Sequence, residues 1–249
     1  MSASNARIKE ARRLSRRSVR AERRLFLADG PNAVTEALAA GVVEEVFATR
    51  EAAQRHPDLS VTLVDDRAMR ALSDSVTPAG LVALCRFLDV PADQALVGPY
   101  VAVCAHVSDP GNAGTLIRCA DAAGAGGVVL AGDSVDLYNA KTIRATAGSA
   151  FHLPIAVGLS AEDAVDAAKQ AGYAVVAADG SGETDLFAAG DVLAGPTAWL
   201  FGNEAHGLPP ALLERADHRV RIPIHGRAES LNLSTAAALC LYESARAAR

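Results

Sequence analysis

The chain has 249 residues, half of them hydrophobic, enough for one large domain or for a small domain joined to a medium one. No apolar run reaches the roughly 18 to 20 residues of a bilayer span and no signal-type apolar core opens the chain, so a soluble, unsecreted, cytoplasmic protein is expected. The net charge of −5 is unevenly spread: residues 1–24 hold nine Lys/Arg against two Glu, or +7, and the remainder carries −12.

A basic arm over residues 1–24 suits phosphate contacts, because each neutralised phosphate releases counterions and adds affinity independent of sequence. Arg13, Arg16, Arg17 and Arg20 are its candidate contacts. A solvated tail and an organellar transit peptide are the competing readings, the second opposed by Glu10, Glu22 and the lack of a clear apolar face. Residues 25–88 then read as a small α/β unit. Strands are predicted at Leu25–Ala28, Val43–Ala48, Val61–Val64 and Leu81–Cys85, alternating with helices at Pro31–Ala40, near Glu51 and at Asp65–Leu72. Residues 89–99 carry prolines without a sustained period and read as a linker.

From Tyr100 the pattern is that of a larger parallel sheet. Nearly continuous apolar runs at 100–107, 127–131, 153–157, 173–178, 197–201 and 218–224 predict strands covered on both faces. Helices are expected near 113–123, 138–147, 160–171, 209–216 and 231–247. Cys85, Cys104, Cys119 and Cys240 stand far apart, three of them in apolar runs, so neither a disulfide framework nor a zinc or other metal site is expected.

Ligands of open α/β sheets bind beyond the carboxyl ends of the strands, which directs attention to the loops at 108–114, 202–208 and 225–232. Ser108 to Arg118 combines a strand end, a glycine-bearing turn and a helix start, whose free amides favour anions. The dinucleotide fingerprint fits poorly: only Gly111 and Gly114 have its spacing, and Leu130 and Ala131 stand where an acidic ribose ligand belongs. A nicotinamide enzyme is therefore poorly supported. Arg118 either serves a function or pairs with Asp121 at i+3. In LFGNEAHGLP, residues 200–209, the glycines suit a tight turn and Pro209 a helix start. In IPIHGRAESLNLS, residues 222–234, a polar cluster precedes the last helix; Ser230 is a candidate N-cap, and His225 a general base or a bystander.

Together and in this order, DPGNAGTLIRCADAAGAGG, LFGNEAHGLP and IPIHGRAESLNLSTAAALCLYE resemble the three motifs of the SpoU branch of SPOUT RNA methyltransferases, across residues 100–247. KTIRATAGSAFHLP at 141–154 resembles a further helical segment of that family. FLADGPNAVTEAL at 26–38 resembles the RNA-binding domain of ribosomal-protein type that precedes the catalytic domain in several rRNA-modifying members, which include the thiostrepton/nosiheptide-resistance type. The resemblance implies an α/β fold with a parallel-sheet SPOUT catalytic domain over 100–249, a C-terminal trefoil knot from about Ala174 onward, and a small N-terminal α/β RNA-binding domain over 25–88.

It also implies S-adenosyl-L-methionine as cofactor, held in the knot by Gly202, Ile222 and Leu231 with Leu200 and Glu204 contributing. Arg118 then acts on the ribose, Asn112, Ser230 and Asn232 order the site, and Lys141 and Arg144 join the arm arginines on RNA. A homodimer is implied, Arg118 reaching toward the partner's cofactor; the final helix, with Ala236, Ala237 and Ala238 beside Leu239 and Leu241, fits close helix approach. The expected reaction is 2′-O-methylation of a ribose, in 23S rRNA by preference, with tRNA open and a catalytically silent RNA-binding or ribosome-assembly protein as the alternative. Deprotonating a guanidinium at neutral pH costs about 8 kcal/mol, so Arg118 reads as a positioner of phosphate and ribose rather than as a base.

Overall fold

The computed structural model describes residues 1–248, which form two compact units. The first comprises Met1–Leu88 together with Asp136–His152. Its sheet is built from β1 (Leu25–Asp29), β2 (Val43–Ala48), β3 (Thr62–Leu63) and β4 (Leu81–Arg86), in the order β1-β4-β2-β3. Strand β4 runs antiparallel to both neighbours, Phe26 lying opposite Cys85 and Phe47 opposite Val82, while β3 pairs parallel to β2. The helices between them start where the sequence supplies caps: Thr49 accepts the amide of Ala52 at 3.2 Å, and Asp65 that of Ala68 at 2.7 Å.

The basic N-terminal segment is folded onto this unit. Helices Ala6–Arg12 and Arg17–Arg23 flank a single turn at Arg13–Ser15. Ile8 and Ala11, three residues apart and so on one face, are buried against Phe47, Met69, Leu72 and Val82, and Leu14 and Val19 pack with Leu25. Lys9, Arg12, Arg13, Arg16 and Arg17 are left exposed. Arg20 departs from the expectation that it faces RNA. It is only 6% exposed, donates to the carbonyls of Leu14 at 2.7 Å and Ser15 at 3.0 Å, and forms an ion pair with Asp136. A buried guanidinium with a partner at each of its three nitrogens is a structural clasp.

The segment Asp136–His152 follows residue 99 in sequence yet packs with the first 88 residues. Aromatic contact explains this: Tyr138 stacks on Phe87 with ring centres 3.6 Å apart, and Phe26 lies 4.9 Å from Tyr138 and 6.3 Å from Phe151. The expected helix over 138–147 is shorter, Ala140–Ala145, followed by a left-handed Gly148 at φ +106°. Here Arg144 donates to Ser75 at 2.8 Å and pairs with Asp74, while Lys141 is exposed.

The second unit, Asp89–Val135 with the chain from Leu153 onward, holds seven parallel strands. They are β5 (Tyr100–Ala105), β6 (Val128–Ala131), β7 (Ile155–Val157), β8 (Ala174–Ala178), β9 (Thr184–Asp185), β10 (Thr197–Phe201) and β11 (His218–Arg221), in the order β7-β6-β5-β10-β8-β11-β9. Every residue of β5, β6 and β10 is buried, as continuous apolar strands require. The sheet is covered by helices Pro110–Ala123, Ala161–Gln170, Pro210–Arg215 and Leu233–Ala247. The expected strand 218–224 ends at Arg221, because Pro223 has no amide for a ladder. Two-residue β9 has no apolar run and left no mark in the sequence pattern. The 89–99 stretch packs on this unit: Ala95 and Leu96 are buried, and the Val90 amide bonds the Ile155 carbonyl. No described helix is long and apolar enough to cross a membrane.

Trp199 on β10 is fully buried, and its indole N–H donates to Ser244 on the last helix at 2.8 Å. Ser244→Ala strands that donor, and should lower the unfolding free energy by about 1–3 kcal/mol. Urea denaturation followed by the emission of this one tryptophan reads the change directly; an unaltered midpoint and slope would show that the bond does not anchor the helix.

Candidate active site

Strands β5 and β10 are neighbours in register, Cys104 beside Phe201, so their carboxyl ends and the loops after them lie together. In the first loop, Asp109 caps helix Pro110–Ala123 by accepting the Asn112 amide at 2.8 Å, and Pro110 occupies the first turn, where no amide partner is needed. The second loop closes on itself through paired bonds between Asn203 and Gly207, of 3.0 and 2.9 Å. Gly202 sits under that closure. A Cβ there would lie 2.4 Å from the Gly207 carbonyl carbon and 2.6 Å from the Leu208 nitrogen, so no side chain fits.

Glu204 joins the two loops. One carboxylate oxygen accepts the Ser108 amide at 3.1 Å and its hydroxyl at 2.9 Å; the other accepts the Asp109 amide at 3.0 Å and the Asn112 side-chain amide at 3.2 Å. Partial burial pushes the carboxyl's pKa upward, but the Asp109 and Ser108 donors outweigh it and hold the pKa below the ordinary glutamate value. The Asn112 carbonyl oxygen in turn accepts from the Asn232 amide at 2.9 Å. Asn232 caps the last helix, accepting the Ser234 amide at 2.9 Å and the Ser234 hydroxyl at 2.6 Å. Glu204, Asn112 and Asn232 thus form one hydrogen-bonded relay across all three loops.

Asn112, Glu204 and Asn232 are brought together as the sequence suggested. Ser230 is not the helix cap; that place belongs to Asn232, and Ser230 is exposed two residues earlier. Leu200, expected to contribute to the cofactor site, is fully buried, and its backbone lies in the ladder between β5 and β8. Ile222 is half-buried and Leu231 is 37% exposed. From His225 to Leu231 no residue forms a hydrogen bond with any other described residue, so the backbone donors and acceptors there are open, flanked by those two apolar side chains. Such a lining fits a flat nucleoside-like group. Arg118 is exposed on helix Pro110–Ala123 and forms no hydrogen bond or ion pair with described residues, Asp121 included.

Sequence reasoning missed Asn203. Its side-chain amide donates to the His106 carbonyl at 2.9 Å, and its oxygen accepts the amides of Ala205 and His206, fastening the second loop to the first. Its place between Gly202 and Glu204 was the available signal. Ser108 and Ser234 were likewise visible only as loop and helix residues until the fold set them beside Glu204 and Asn232. Among the described residues no cluster of His, Cys, Asp or Glu is placed to hold a metal ion.

Residues 99–242 match the model of the SpoU rRNA Methylase family, and residues 5–83 match an MRM3-like substrate binding domain. The chain is 33% identical over 248 residues to the 23S rRNA (guanosine(2553)-2′-O)-methyltransferase RlmP of Bacillus subtilis (strain 168), covering 97% of this chain and 96% of that one. Among solved structures, an AdoMet-bound rRNA methyltransferase from Sinorhizobium meliloti superposes with a TM-score of 0.85 at 33% identity, over 99% of this chain and 96% of that one. The SpoU methyltransferase AviRb from Streptomyces viridochromogenes in complex with AdoMet gives 0.82 at 29% identity, over 97% of each chain.

The lowered Glu204 pKa sets a pH dependence. A carboxyl depressed on folding adds stability that is present above its ordinary value of 4.5 and is lost as the pH falls through the folded value. Thermal unfolding of the native chain should therefore lose stability in that acid window more steeply than Glu204→Gln, which lacks the titration. Parallel curves for the two proteins would mean that the carboxylate does not hold the loops.

Proposed function

The chain belongs to the SpoU rRNA Methylase family, and from that premise we propose that it transfers a methyl group from S-adenosyl-L-methionine to a ribose 2′-oxygen of 23S rRNA, in the cytoplasm. The observation that carries this reading is the Glu204–Asn112–Asn232 relay, which fastens three loops of family-matching sequence together at the carboxyl end of the sheet. When bound, S-adenosyl-L-methionine supplies an electrophilic methyl group on its sulfonium. Gly202, whose place no side chain can share, and the open backbone between Ile222 and Leu231 are the residues to hold it. Glu204 contributes by building those loops. The deep C-terminal knot is part of the same proposal. It is supported by the strand order β10-β8-β11 and by the return of residues 222–232 from β11 to a helix packed on Pro110–Ala123.

The chain's own groups must orient a hydroxyl that is a weak nucleophile while protonated. Arg118 is exposed and forms no hydrogen bond or ion pair with described residues, so its five donors are available to a phosphate and a ribose oxygen. Asn112 and Asn232 keep their amides in fixed orientation through the relay, and Ser230 lies on the open segment beside them. On the RNA side, Arg13, Arg16, Arg17 and Lys141 are exposed on the first unit; Arg144 is exposed but tied to Asp74. A homodimer completing each site across chains is proposed too. On the last helix Ala237 and Leu241 are buried in their own chain, but Leu239 and Tyr242 remain 37% and 54% exposed, one turn apart.

Arg118→Ala should lower turnover on 23S rRNA by about 100-fold or more while S-adenosyl-L-methionine still binds by calorimetry, and Arg118→Lys should restore little. Near-normal methylation by Arg118→Ala would remove it from the site. Mixing Arg118→Ala with Asn232→Ala checks the shared site separately: if each site draws these residues from different chains, heterodimers regain one intact site and some activity. Stable heterodimers without recovery would assign both residues to one chain.

A further inference from the structure

Several cations of the N-terminal segment are already paired with carboxylates. Arg7 pairs with Glu45, and Arg13 and Arg23 with Glu10. The concavity beside those pairs mixes signs, carrying Glu10, Glu44 and Glu45 against Arg7 and Arg23. On the turn between the two helices lies a second concavity of about 530 Å³, lined by Lys9, Arg12, Arg13, Ser15 and Arg16, with no carboxylate and no aromatic ring. The side chains of Lys9, Arg12 and Arg16 form no hydrogen bond or ion pair with described residues. Lys9 stands at i+3 and i+4 from Arg12 and Arg13, spacings at which like charges repel and cost helix stability. A folded chain that holds unneutralised cations around a hollow is prepared for an anion with several charges.

The turn is held rigid from beneath. Arg20 binds the carbonyls of Leu14 and Ser15, the two residues between Arg13 and Arg16, and is itself fixed by Asp136, whose other oxygen accepts the Tyr138 amide at 3.0 Å. Leu14 is buried below the same turn. The one arginine of the segment that is turned inward thus sets the spacing of those turned outward. The hollow lacks the aromatic platform of base-stacking sites, and its dense positive charge favours backbone over base contacts.

We propose that this turn is a preformed cradle for the phosphate backbone of the RNA, with Lys9, Arg12, Arg13 and Arg16 as its contacts and Arg20 as the residue that positions them; this rests on the RNA-methyltransferase reading above. The full chain is required for the test, because Asp136 and Tyr138 would lose their partners if the first 88 residues were removed. Binding of a hairpin RNA of arbitrary sequence is measured against salt concentration. Replacing Lys9, Arg12 and Arg16 by Gln should lower the slope of log affinity against log salt by about 2 to 3, at roughly 0.7 to 0.9 for each lost phosphate contact. Arg7→Gln with Arg23→Gln, which alters the paired cations, should leave the slope as it was. Asp136→Asn keeps every outward cation, and should raise KM for a 23S rRNA transcript severalfold with kcat and cofactor affinity held.

An unchanged slope in the triple variant, or an equal fall in both variants, would overturn the cradle. So would binding of native protein to vesicles rich in phosphatidylserine but not to RNA. If native protein methylates 23S rRNA while the triple variant keeps its slope, the cradle alone fails. If native protein binds S-adenosyl-L-methionine but methylates no RNA, the functional reading fails instead.

Discussion

The Glu204 carboxylate receives four donors from Ser108, Asp109 and Asn112, some 95 residues away in sequence. Each backbone amide at the start of helix Pro110–Ala123 needs an acceptor, and a carboxylate at a helix N-terminus is well matched to several of them. One side chain therefore holds the residues leading into that helix, joins two loops and orients Asn112. The orientation passes on through Asn112 to Asn232, and from Asn232 into the first turn of the last helix. These bonds tie all three loops to one carboxylate.

The relay depends in turn on strand order. β10 enters the sheet between β5 and β8, so the loop after β5 meets the loop after β10 although β6, β7, β8 and β9 intervene in sequence. With all strands parallel, their carboxyl ends face one way, and the order reverses beside β5, where open α/β sheets bind their ligands. The chain returns from β11 to helix Leu233–Ala247, whose partner is helix Pro110–Ala123. The buried Trp199–Ser244 bond secures this return at the far end of the helix, and the Asn112–Asn232 bond at the near end.

Charge follows the same logic in the first unit. Residues 1–24 carry +7, and a chain of that composition free in solvent would stay extended by self-repulsion. Ile8, Ala11, Leu14 and Val19 supply enough buried apolar surface to fold it, and Arg20 with Asp136 locks the turn. Breaking such a pair leaves an uncompensated buried charge, typically at a cost of about 3–5 kcal/mol. The arm expected from composition is thus a rigid basic surface.

The sequence by itself determined the α/β class, most strands and helices, and the three loops in which the polar residues gather. Apolar runs and their spacing are local properties, and the turn residues lie beside them in the chain. Ordered motifs were sufficient for the family because each motif is continuous. What only the tertiary structure decided are facts of partnership. Arg20 and its exposed neighbours are the same residue type in one basic stretch, and only the packing of Leu14 and the arrival of Asp136 from more than a hundred residues away turn it inward. Asn232 rather than Ser230 caps the last helix, because Asn112 holds the other end of its side chain. Leu200 is core because β10 is flanked on both sides, and β9 exists because β11 offers it an edge. None of these outcomes has a local signal, since each is set by which distant segment arrives to share the contact.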